Sequence, residues 1–257
     1  MPTALITGAS AGLGMDFARL AAKDGHDLVL VARRKDNLDK LGAELAQAHG
    51  IKSHSIAADL TDPKAPQAIF DEVKALGLSV DVLVNNAGFG STGAYFELPL
   101  ARELEMVQVN ISALMALTHL FGPGMKERKS GRILNIASTA GFQPGPFMAT
   151  YYASKAFVIS WSEALAYELR GTGVTVTAAC PGATATEFAS TAGNDKSKLF
   201  TQQKPATSAE VAAFSWKAMK KGKSIAVHGA MNKIGAFGVR LSPRKMVTGI
   251  AAGLNKK

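Results

Sequence analysis

Cysteine and clustered metal ligands are nearly missing from this sequence. Cys180 is the only cysteine among 257 residues, so no disulfide can form within the chain. It lies in the apolar run Val174–Cys180, which is typical of a buried structural thiol and unlike the setting of a nucleophile. The five histidines are scattered, without the spacing at which side chains bind zinc. We therefore expect a protein that needs neither disulfides nor a metal.

Long apolar runs are also missing. No uninterrupted apolar stretch reaches the roughly 20 residues that cross a bilayer, and the N-terminus has no basic segment leading into an apolar core. The composition, 47% hydrophobic and 19% charged, is that of an ordinary globular protein with a large core. These features predict a cytoplasmic protein.

Acidic residues are absent after Glu210. The last 47 residues carry ten lysines and arginines, whereas the 210 residues before them carry 19 basic and 20 acidic side chains. The net charge of +9 therefore belongs to the C-terminal segment and not to the chain as a whole. No nucleic-acid partner is expected, because the basic charge is not spread over the protein.

Short strand-like runs alternate strictly with longer helical patterns. Strict alternation predicts parallel strands with right-handed crossovers, and the nearly continuous apolar strands indicate a sheet covered on both faces. We therefore predict one doubly wound α/β domain over residues 1–229 and a helical tail over 230–257 that belongs to the same domain. The predicted strands are 4–7, 27–32, 53–58, 81–84, 132–137, 174–180 and 224–227, and the predicted helices before the tail are 15–23, 37–49, 64–76, 100–125, 150–170 and 208–220.

A glycine-rich turn lies between the first strand and the first helix. Its glycines, Gly8, Gly12 and Gly14, permit a tight turn and a close approach of the backbone to a phosphate group. The N-terminus of the next helix adds free N–H groups and a positive dipole. The spacing G-x-x-x-G-x-G departs from the G-x-G-x-x-G fingerprint, and a purely structural turn is the alternative.

Two arginines follow the second strand. An NAD site usually places an acidic side chain there to bind the ribose hydroxyls, whereas an NADP site prefers arginine. Arg33 and Arg34 occupy this position, and the first acidic residue is Asp36. The pair favours NADP, and the alternative is a solvated beginning of the next helix.

Tyr151 and Lys155 are four residues apart in a predicted helix, so their side chains share one face. A free tyrosine titrates near ~10, and a neighbouring cation favours the phenolate and lowers the pKa. A shift of roughly two to three units would bring the phenol close to the range where general acid–base catalysis is efficient. Taken alone, the pair also fits an ordinary helix face.

Further short motifs stand in a fixed order with the turn and the Tyr-Lys pair. They are Thr7-Gly8-x-x-x-Gly12-x-Gly14, Asn85-Asn86-Ala87-Gly88, Asn110, Ser138, Tyr151-x-x-x-Lys155, and Pro181-Gly182 followed by Thr186. The set resembles the short-chain dehydrogenase/reductase family, in particular its single-domain, NADP-preferring members, over residues 3 to about 229. The resemblance implies a Rossmann fold with a mainly parallel seven-stranded sheet.

The resemblance also implies catalytic roles. Tyr151 would donate a proton to the carbonyl oxygen of a substrate while NADP(H) transfers hydride. Lys155 would lower the pKa of Tyr151 and bind the nicotinamide ribose. Ser138 would hydrogen-bond the substrate oxygen as charge develops there, and Asn110 would hold a water that links Lys155 to solvent. Tyr152 has Ala156 and no cation at the following turn, so we interpret it as a packing residue.

The cofactor would lie along residues from several loops. Many NADP-preferring relatives carry a basic residue at the position of Ala11, so here only Arg33, Arg34 and Ser10 are left for the 2′-phosphate. The residues that the resemblance assigns to NADP(H) are Gly8, Ser10, Gly12, Leu13, Gly14, Arg33, Arg34, Asp59, Leu60, Asn86, Ala87, Gly88, Tyr151, Lys155, Pro181, Gly182, Thr184 and Thr186.

The substrate is expected to be a neutral, apolar aldehyde, ketone or alcohol. Phe142, Phe147, Met148 and Phe188, together with Ser138, would form an apolar pocket, and residues 139–150 contain no Lys or Arg to bind a carboxylate. The polar segment 187–205 would suit a lid. A 3-oxoacyl-thioester reductase is the alternative, because the basic tail could meet phosphates, and a non-catalytic dinucleotide-sensing module is a further one.

The tail has two amphipathic patterns. Met231, Ile234, Phe237 and Leu241 form one apolar stripe, and Met246, Val247, Ile250 and Leu254 form the next, with Ser242-Pro243 as the start of the second helix. We expect these helices to pack on the domain and to close the substrate pocket or an interface of a homo-oligomer. An interfacial membrane helix is the alternative, because lysines and arginines accompany the stripes.

Overall fold

The computed structural model describes residues 1–193 and 205–256. Within these residues, seven parallel strands form one sheet in the order β3-β2-β1-β4-β5-β6-β7. Helices connect successive strands and cover both faces of the sheet. This is the doubly wound arrangement predicted from the alternation of strands and helices. The strands are β1 (Thr3–Thr7), β2 (Asp27–Ala32), β3 (Ser53–Ala57), β4 (Val80–Asn85), β5 (Gly131–Ile136), β6 (Val174–Cys180) and β7 (Ile225–Val227).

The helices cover both faces of this sheet, as the predicted elements require. Each predicted helix before the tail is present within a few residues of its expected ends. The apolar residues whose spacing predicts the helix are also the residues that pack against the core. The helices are α1 (Gly12–Lys23), α2 (Lys35–His49), α3 (Ala65–Ala75), α4 (Leu100–Val107), α5 (Leu114–Glu127), α6 (Ala149–Glu168), α7 (Phe188–Thr191), α8 (Ser208–Lys220), α9 (Ala230–Leu241) and α10 (Arg244–Asn255).

The central strands are buried on both faces. All five residues of β1 are buried, and Leu5 and Ile6 are fully enclosed. Two separate apolar clusters result, one on each side of the sheet, because successive side chains of a strand point to opposite faces. The sheet therefore acts as a rigid platform whose strand ends position the loops described below.

The long predicted helix 100–125 is interrupted by a wider turn. A π-helical segment, Gln108–Ala113, joins α4 to α5, and Asn110 lies within it. Widened turns of this kind are frequent at functional sites. Periodicity could not reveal it, because one extra residue hardly changes the apolar pattern.

Together, α4, the π-helical segment and α5 bear on the expectation that no segment is long and apolar enough to cross a bilayer. Leu100–Glu127 has 28 residues and a mean hydropathy of 1.3 over its most apolar window, which by length and composition would cross a bilayer. However, 44% of that window is buried inside the protein, where Leu117, Phe121 and Met125 pack in the core beside the sheet. A helix in the core of a globular protein can have the same length and hydropathy. We therefore interpret Leu100–Glu127 as a core helix.

The tail only partly follows its prediction. Helix α10 folds back on the protein and buries Val247, Ala251 and Asn255. Helix α9 buries none of its residues, and Phe237 of its predicted stripe is 63% exposed. Within one copy of the chain, most of the first stripe is therefore uncovered, as are Met246 and Ile250 of the second. An interface between copies stays a prediction.

A two-stranded parallel ladder was not foreseen. It pairs Thr184–Ala185 with Ala206–Thr207, and strands of two residues leave no periodic signal. The ladder joins the two ends of the predicted lid, most of which, 194–204, lies outside the described residues.

Candidate active site

One cleft of about 720 Å³ opens at the carboxyl ends of the strands. Strands β1 and β4 are neighbours in the sheet, and the crossovers run outward in opposite directions from this point. Ligands of doubly wound proteins bind at such a switch point. The glycine-rich turn, the arginine pair, the catalytic helix and the tail all contribute to its lining.

The glycine-rich turn leaves room for backbone contact. Gly8 has φ +67°, which favours glycine, and a Cβ on Gly14 would lie only 2.1 Å from the Gly8 carbonyl oxygen. Any side chain at Gly14 would therefore push α1 away from the turn. The result is an uncovered cradle at the N-terminus of α1, where N–H groups and the helix dipole favour a phosphate.

Thr7 anchors this cradle to the next strand. Its hydroxyl accepts hydrogen bonds of 3.0 Å from the backbone N–H groups of Asn86 and Ala87, and it donates to the Val84 carbonyl. The Asn86 amide donates to the Thr7 carbonyl at 2.8 Å. These bonds hold the Asn-Ala-Gly segment, which the motif assigns to the cofactor, directly beside the turn.

The two arginines lie at the far end of the cleft, but in different surroundings. The Arg34 guanidinium donates to the Ser10 hydroxyl at 3.3 Å and to the Glu187 carboxylate at 3.0 Å. Arg33 faces Asp59, whose pKa is lowered mainly by the backbone hydrogen bond from Thr61 and also by the Arg33 charge. An anion bound here would compete with Glu187 for Arg34.

The predicted catalytic residues converge where α6 crosses the ends of β5 and β6. The Lys155 ammonium donates to the Ile136 carbonyl at 2.7 Å, and its nitrogen lies 5.7 Å from the centre of the Tyr151 ring. Tyr151 is hydrogen-bonded to Ser138, whose hydroxyl also accepts from the Ala140 N–H at 3.1 Å. One phenol, one hydroxyl and one ammonium thus face the same space.

The surroundings of Tyr151 change the predicted pKa argument. Burial raises the pKa of Tyr151 well above its ordinary value, although the Ser138 hydrogen bond acts in the opposite direction. Burial outweighs any lowering by the Lys155 charge in this arrangement, so the net direction is contrary to the expectation from the sequence. Tyr151 therefore holds its proton at neutral pH, which suits a proton donor.

Lys155 is affected by burial in the opposite sense. Desolvation lowers the pKa of Lys155 to about 8, because burial penalises the charged ammonium. The side chain is therefore still largely protonated at neutral pH. It can stabilise a phenolate that forms when Tyr151 gives up its proton.

This pKa predicts a pH limit for catalysis. We expect kcat/KM for carbonyl reduction to fall as the pH rises through about 8, because Lys155 then loses the charge that stabilises the Tyr151 phenolate. Initial rates measured across the alkaline range at saturating cofactor test this. Lys126→Gln, an exposed lysine of α5 outside the cleft, should leave the profile unchanged. A flat profile well beyond the pKa of Lys155 would contradict the assignment.

Asn110 lies behind Lys155. Its amide donates to the Phe89 carbonyl at 3.0 Å and to the Ser154 hydroxyl at 3.1 Å, and its side-chain oxygen accepts from the Phe89 N–H. Both N–H groups of the side-chain amide are used, and the residue lies within the π-helical segment. The water that would link Lys155 to solvent stays a prediction.

Most predicted site residues line the cleft, and three do not. Gly14 supports the turn from behind, Asn110 is buried, and Phe147 lies outside the lining with φ +66°. Phe147 therefore does not line the cleft in this structure, and its contact with substrate stays a prediction. The predicted residues that do line the cleft are Gly8, Ser10, Gly12, Leu13, Arg33, Arg34, Asp59, Leu60, Asn86, Ala87, Gly88, Ser138, Phe142, Met148, Tyr151, Lys155, Pro181, Gly182, Thr184, Thr186 and Phe188.

One contact between the tail and the catalytic region was missed from the sequence. Tyr152, interpreted as packing, donates its hydroxyl proton to Asn255 at 3.0 Å, and Asn255 donates to the Pro146 carbonyl. The tail therefore holds the loop before the catalytic helix. No sequence signal pairs residues 103 positions apart, but a buried polar residue in an apolar helix face suggests a partner. The tail residues in the lining are Met231, Asn232, Gly235, Ala236, Val239, Ile250 and Leu254.

The cleft fits a phosphate-bearing dinucleotide. The glycine-rich turn leaves an open cradle at the N-terminus of α1, which side chains at these glycines would fill. The guanidinium groups of Arg33 and Arg34 lie beyond it. The predicted catalytic side chains Ser138, Tyr151 and Lys155 are at the other end of the same cavity, so one elongated ligand could reach both.

Comparison with known proteins identifies the family. The family model described as short chain dehydrogenase matches residues 2–197. The chain therefore belongs to the short-chain dehydrogenases, and it is an oxidoreductase of that family. The motif register, the sheet order and the Ser-Tyr-Lys cluster all agree with this assignment.

Particular relatives share much of the chain. The very-long-chain 3-oxoacyl-CoA reductase of Phaeosphaeria nodorum is 40% identical over 179 residues, 67% of this chain. The chain spans 52% of that relative's length. A short-chain dehydrogenase from Sphingobium yanoikuyae in complex with NADPH has a TM-score of 0.84 and 33% identity, covering 94% of both chains. The bulky-bulky ketone specific alcohol dehydrogenase from Comamonas testosteroni has a TM-score of 0.79 and 30% identity, covering 94% of this chain and 92% of its own.

Proposed function

We propose that this protein is an NADP(H)-dependent reductase of neutral, apolar ketones or aldehydes, acting in the reverse direction on the alcohols. The observation that carries the proposal is the apolar end of the cleft, which lies beside Tyr151. Within the described residues, the basic side chains in the lining are Arg33, Arg34 and Lys155, so none is left there to bind a substrate carboxylate. The apolar end consists of Ala140, Phe142, Met148, Phe188, Met231, Val239, Ile250 and Leu254.

The chain's own groups supply the proton chemistry. NADP(H), when bound, supplies the hydride to the carbonyl carbon. The Tyr151 phenol gives its proton to the carbonyl oxygen, and the Ser138 hydroxyl hydrogen-bonds that oxygen as negative charge develops. Lys155 holds its positive charge beside the phenolate that remains. Arg33 and Arg34 would bind the 2′-phosphate that distinguishes NADP from NAD.

A second candidate is reduction of 3-oxoacyl thioesters. The relative from Phaeosphaeria nodorum carries that activity in its name, and an acyl chain would suit the apolar end of the cleft. The basic tail could meet the phosphates of a coenzyme A carrier. A cytoplasmic location and a homo-oligomer stay predictions beside both candidates.

A substrate series tests the proposal and separates it from the second candidate. We expect kcat/KM for NADPH-dependent reduction of linear methyl ketones to rise with chain length, roughly fourfold per methylene, because each buried methylene contributes about 0.8 kcal/mol. The matched probes are the ketone, the 3-oxoacyl N-acetylcysteamine thioester and the 3-oxoacyl-CoA thioester of the same chain.

The outcomes differ clearly. Comparable rates with all three probes support an apolar carbonyl reductase without a carrier preference. A large preference for the CoA thioester alone would establish the second candidate. Tight NADPH binding without turnover of any probe would instead indicate a dinucleotide-sensing module. Val239→Asp, on the cleft-facing side of α9, should abolish the chain-length dependence because it places a charge in the apolar end.

A further inference from the structure

Helix α9 presents two apolar faces. Met231, Gly235 and Val239, at helical spacing, line the cleft. Ile234, Phe237 and Leu241, which are three and four residues apart, lie on the opposite side, where they are 64%, 63% and 75% exposed. The helix therefore separates the apolar end of the cleft from a second apolar surface that faces outward. We call the second set the outer stripe.

The outer stripe is a contiguous apolar patch and not a set of isolated exposed apolar residues. Three large side chains adjoin one another on a helix that buries none of its residues and contains Gly235 and Gly238, which weaken an isolated helix. An exposed contiguous apolar patch usually marks an interaction site. The stripe therefore needs a partner that would stabilise α9 in this position.

The charges beside the outer stripe specify the partner. Lys233 and Arg240 lie two turns apart on one flank of the stripe, and Arg244 and Lys245 follow at the beginning of α10. All four are exposed, although the Lys233 ammonium also lies 6.0 Å from the Phe214 ring centre. No acidic residue follows Glu210 to balance them. The partner must be apolar in its centre and anionic at its edge.

A second copy of this chain fits these charges poorly. A symmetric pair with antiparallel α9 helices would bring the same face of each copy together, so the basic flank of one copy would lie beside the basic flank of the other. Like charges at such a contact repel, and the tail contains no carboxylate to relieve them. An anionic lipid surface supplies both the apolar layer and the negative charge.

We propose that α9 lies in the interface of an anionic membrane, with Ile234, Phe237 and Leu241 among the acyl chains and Lys233 and Arg240 at the phosphates. The opposite face of the same helix lines the cleft, so the apolar end of the cleft lies directly beneath the membrane contact. Passage of an apolar substrate from the bilayer into the cleft would follow, and this consequence rests on the proposed function. The lipid contact itself does not.

Vesicle co-sedimentation of the full chain tests the contact without measuring activity. We expect binding to vesicles of phosphatidylcholine with phosphatidylserine, little binding to phosphatidylcholine alone, and release by salt. Lys233→Gln with Arg240→Gln should weaken binding roughly 30-fold, because each basic residue near an anionic surface contributes about 1 kcal/mol. Ile234→Asp with Phe237→Asp should abolish it.

Matched variants control for charge and apolarity elsewhere. Lys221→Gln with Lys223→Gln removes the same charge outside the tail helices, and Leu76→Asp alters another exposed leucine. Both should bind vesicles as the unaltered chain does. Turnover of a short soluble ketone should be retained in the outer-stripe variants, which shows that they fold.

Three results would overturn the proposal. Equal binding to neutral and anionic vesicles would remove the role of the basic flank. Vesicle binding that survives the Ile234 and Phe237 substitutions would place the contact elsewhere. Absence of vesicle binding, combined with self-association that Phe237→Asp abolishes in sedimentation velocity, would assign the outer stripe to a second copy of the chain.

Discussion

Tyr151→Phe is expected to lower kcat for carbonyl reduction between about a hundredfold and ten-thousandfold, the range that general acid catalysis supplies. The substitution removes the phenolic proton that faces the space shared with Ser138 and leaves the Lys155 ammonium in place. The aromatic ring would remain, and with it the contact to Phe188 at 5.1 Å between ring centres. Stopped-flow or steady-state NADPH oxidation measures the loss, and thermal unfolding checks that the fold is retained.

Tyr152→Phe is the matched control. The two tyrosine rings are neighbours, 6.2 Å apart between centres, but the Tyr152 hydroxyl donates to Asn255, whereas Tyr151 is hydrogen-bonded to Ser138. Its loss should reduce stability by about 1 kcal/mol, the usual contribution of such a hydrogen bond, with a far smaller effect on kcat. Near-normal turnover of Tyr151→Phe would disprove the proposed proton transfer.

Arg33→Gln together with Arg34→Gln is expected to weaken NADPH binding by roughly two to four orders of magnitude. Each charge-assisted hydrogen bond to a phosphate contributes about 1.5–3 kcal/mol. NADH, which lacks the 2′-phosphate, should be affected far less. Cofactor fluorescence titration gives both dissociation constants. An equal loss for the two cofactors would show that these arginines do not bind the 2′-phosphate.

Two further variants sharpen this test. Glu187→Gln removes the carboxylate that pairs with Arg34 at 3.0 Å, so NADPH binding should tighten. The gain should stay within about fivefold, because exposed ion pairs contribute at most about 1 kcal/mol. Lys35→Gln removes a neighbouring charge that pairs with Asp39, and it should leave the preference for NADPH unchanged.

The sequence by itself determined the sheet and the position of the site. The strands were predictable because central parallel strands are apolar on both faces, and the helices because their apolar residues recur at the helical period. The glycine turn, Arg33 and Arg34, and the Tyr151–Lys155 pair were predictable for a related reason. Each depends on residues close together in the chain and on strand ends that any doubly wound sheet brings to one edge.

Only the tertiary structure decided how the cleft is enclosed and how its groups titrate. The contacts of Asn255 with Tyr152 and of Glu187 with Arg34 join residues far apart in the chain. The pKa of Tyr151 follows from burial by all its neighbours together, which outweighs the single cation that sequence spacing places near it. Amphipathic spacing likewise predicted the tail helices but not which apolar face would be covered. That choice depends on the shape of the surface that α9 meets, which no local pattern records.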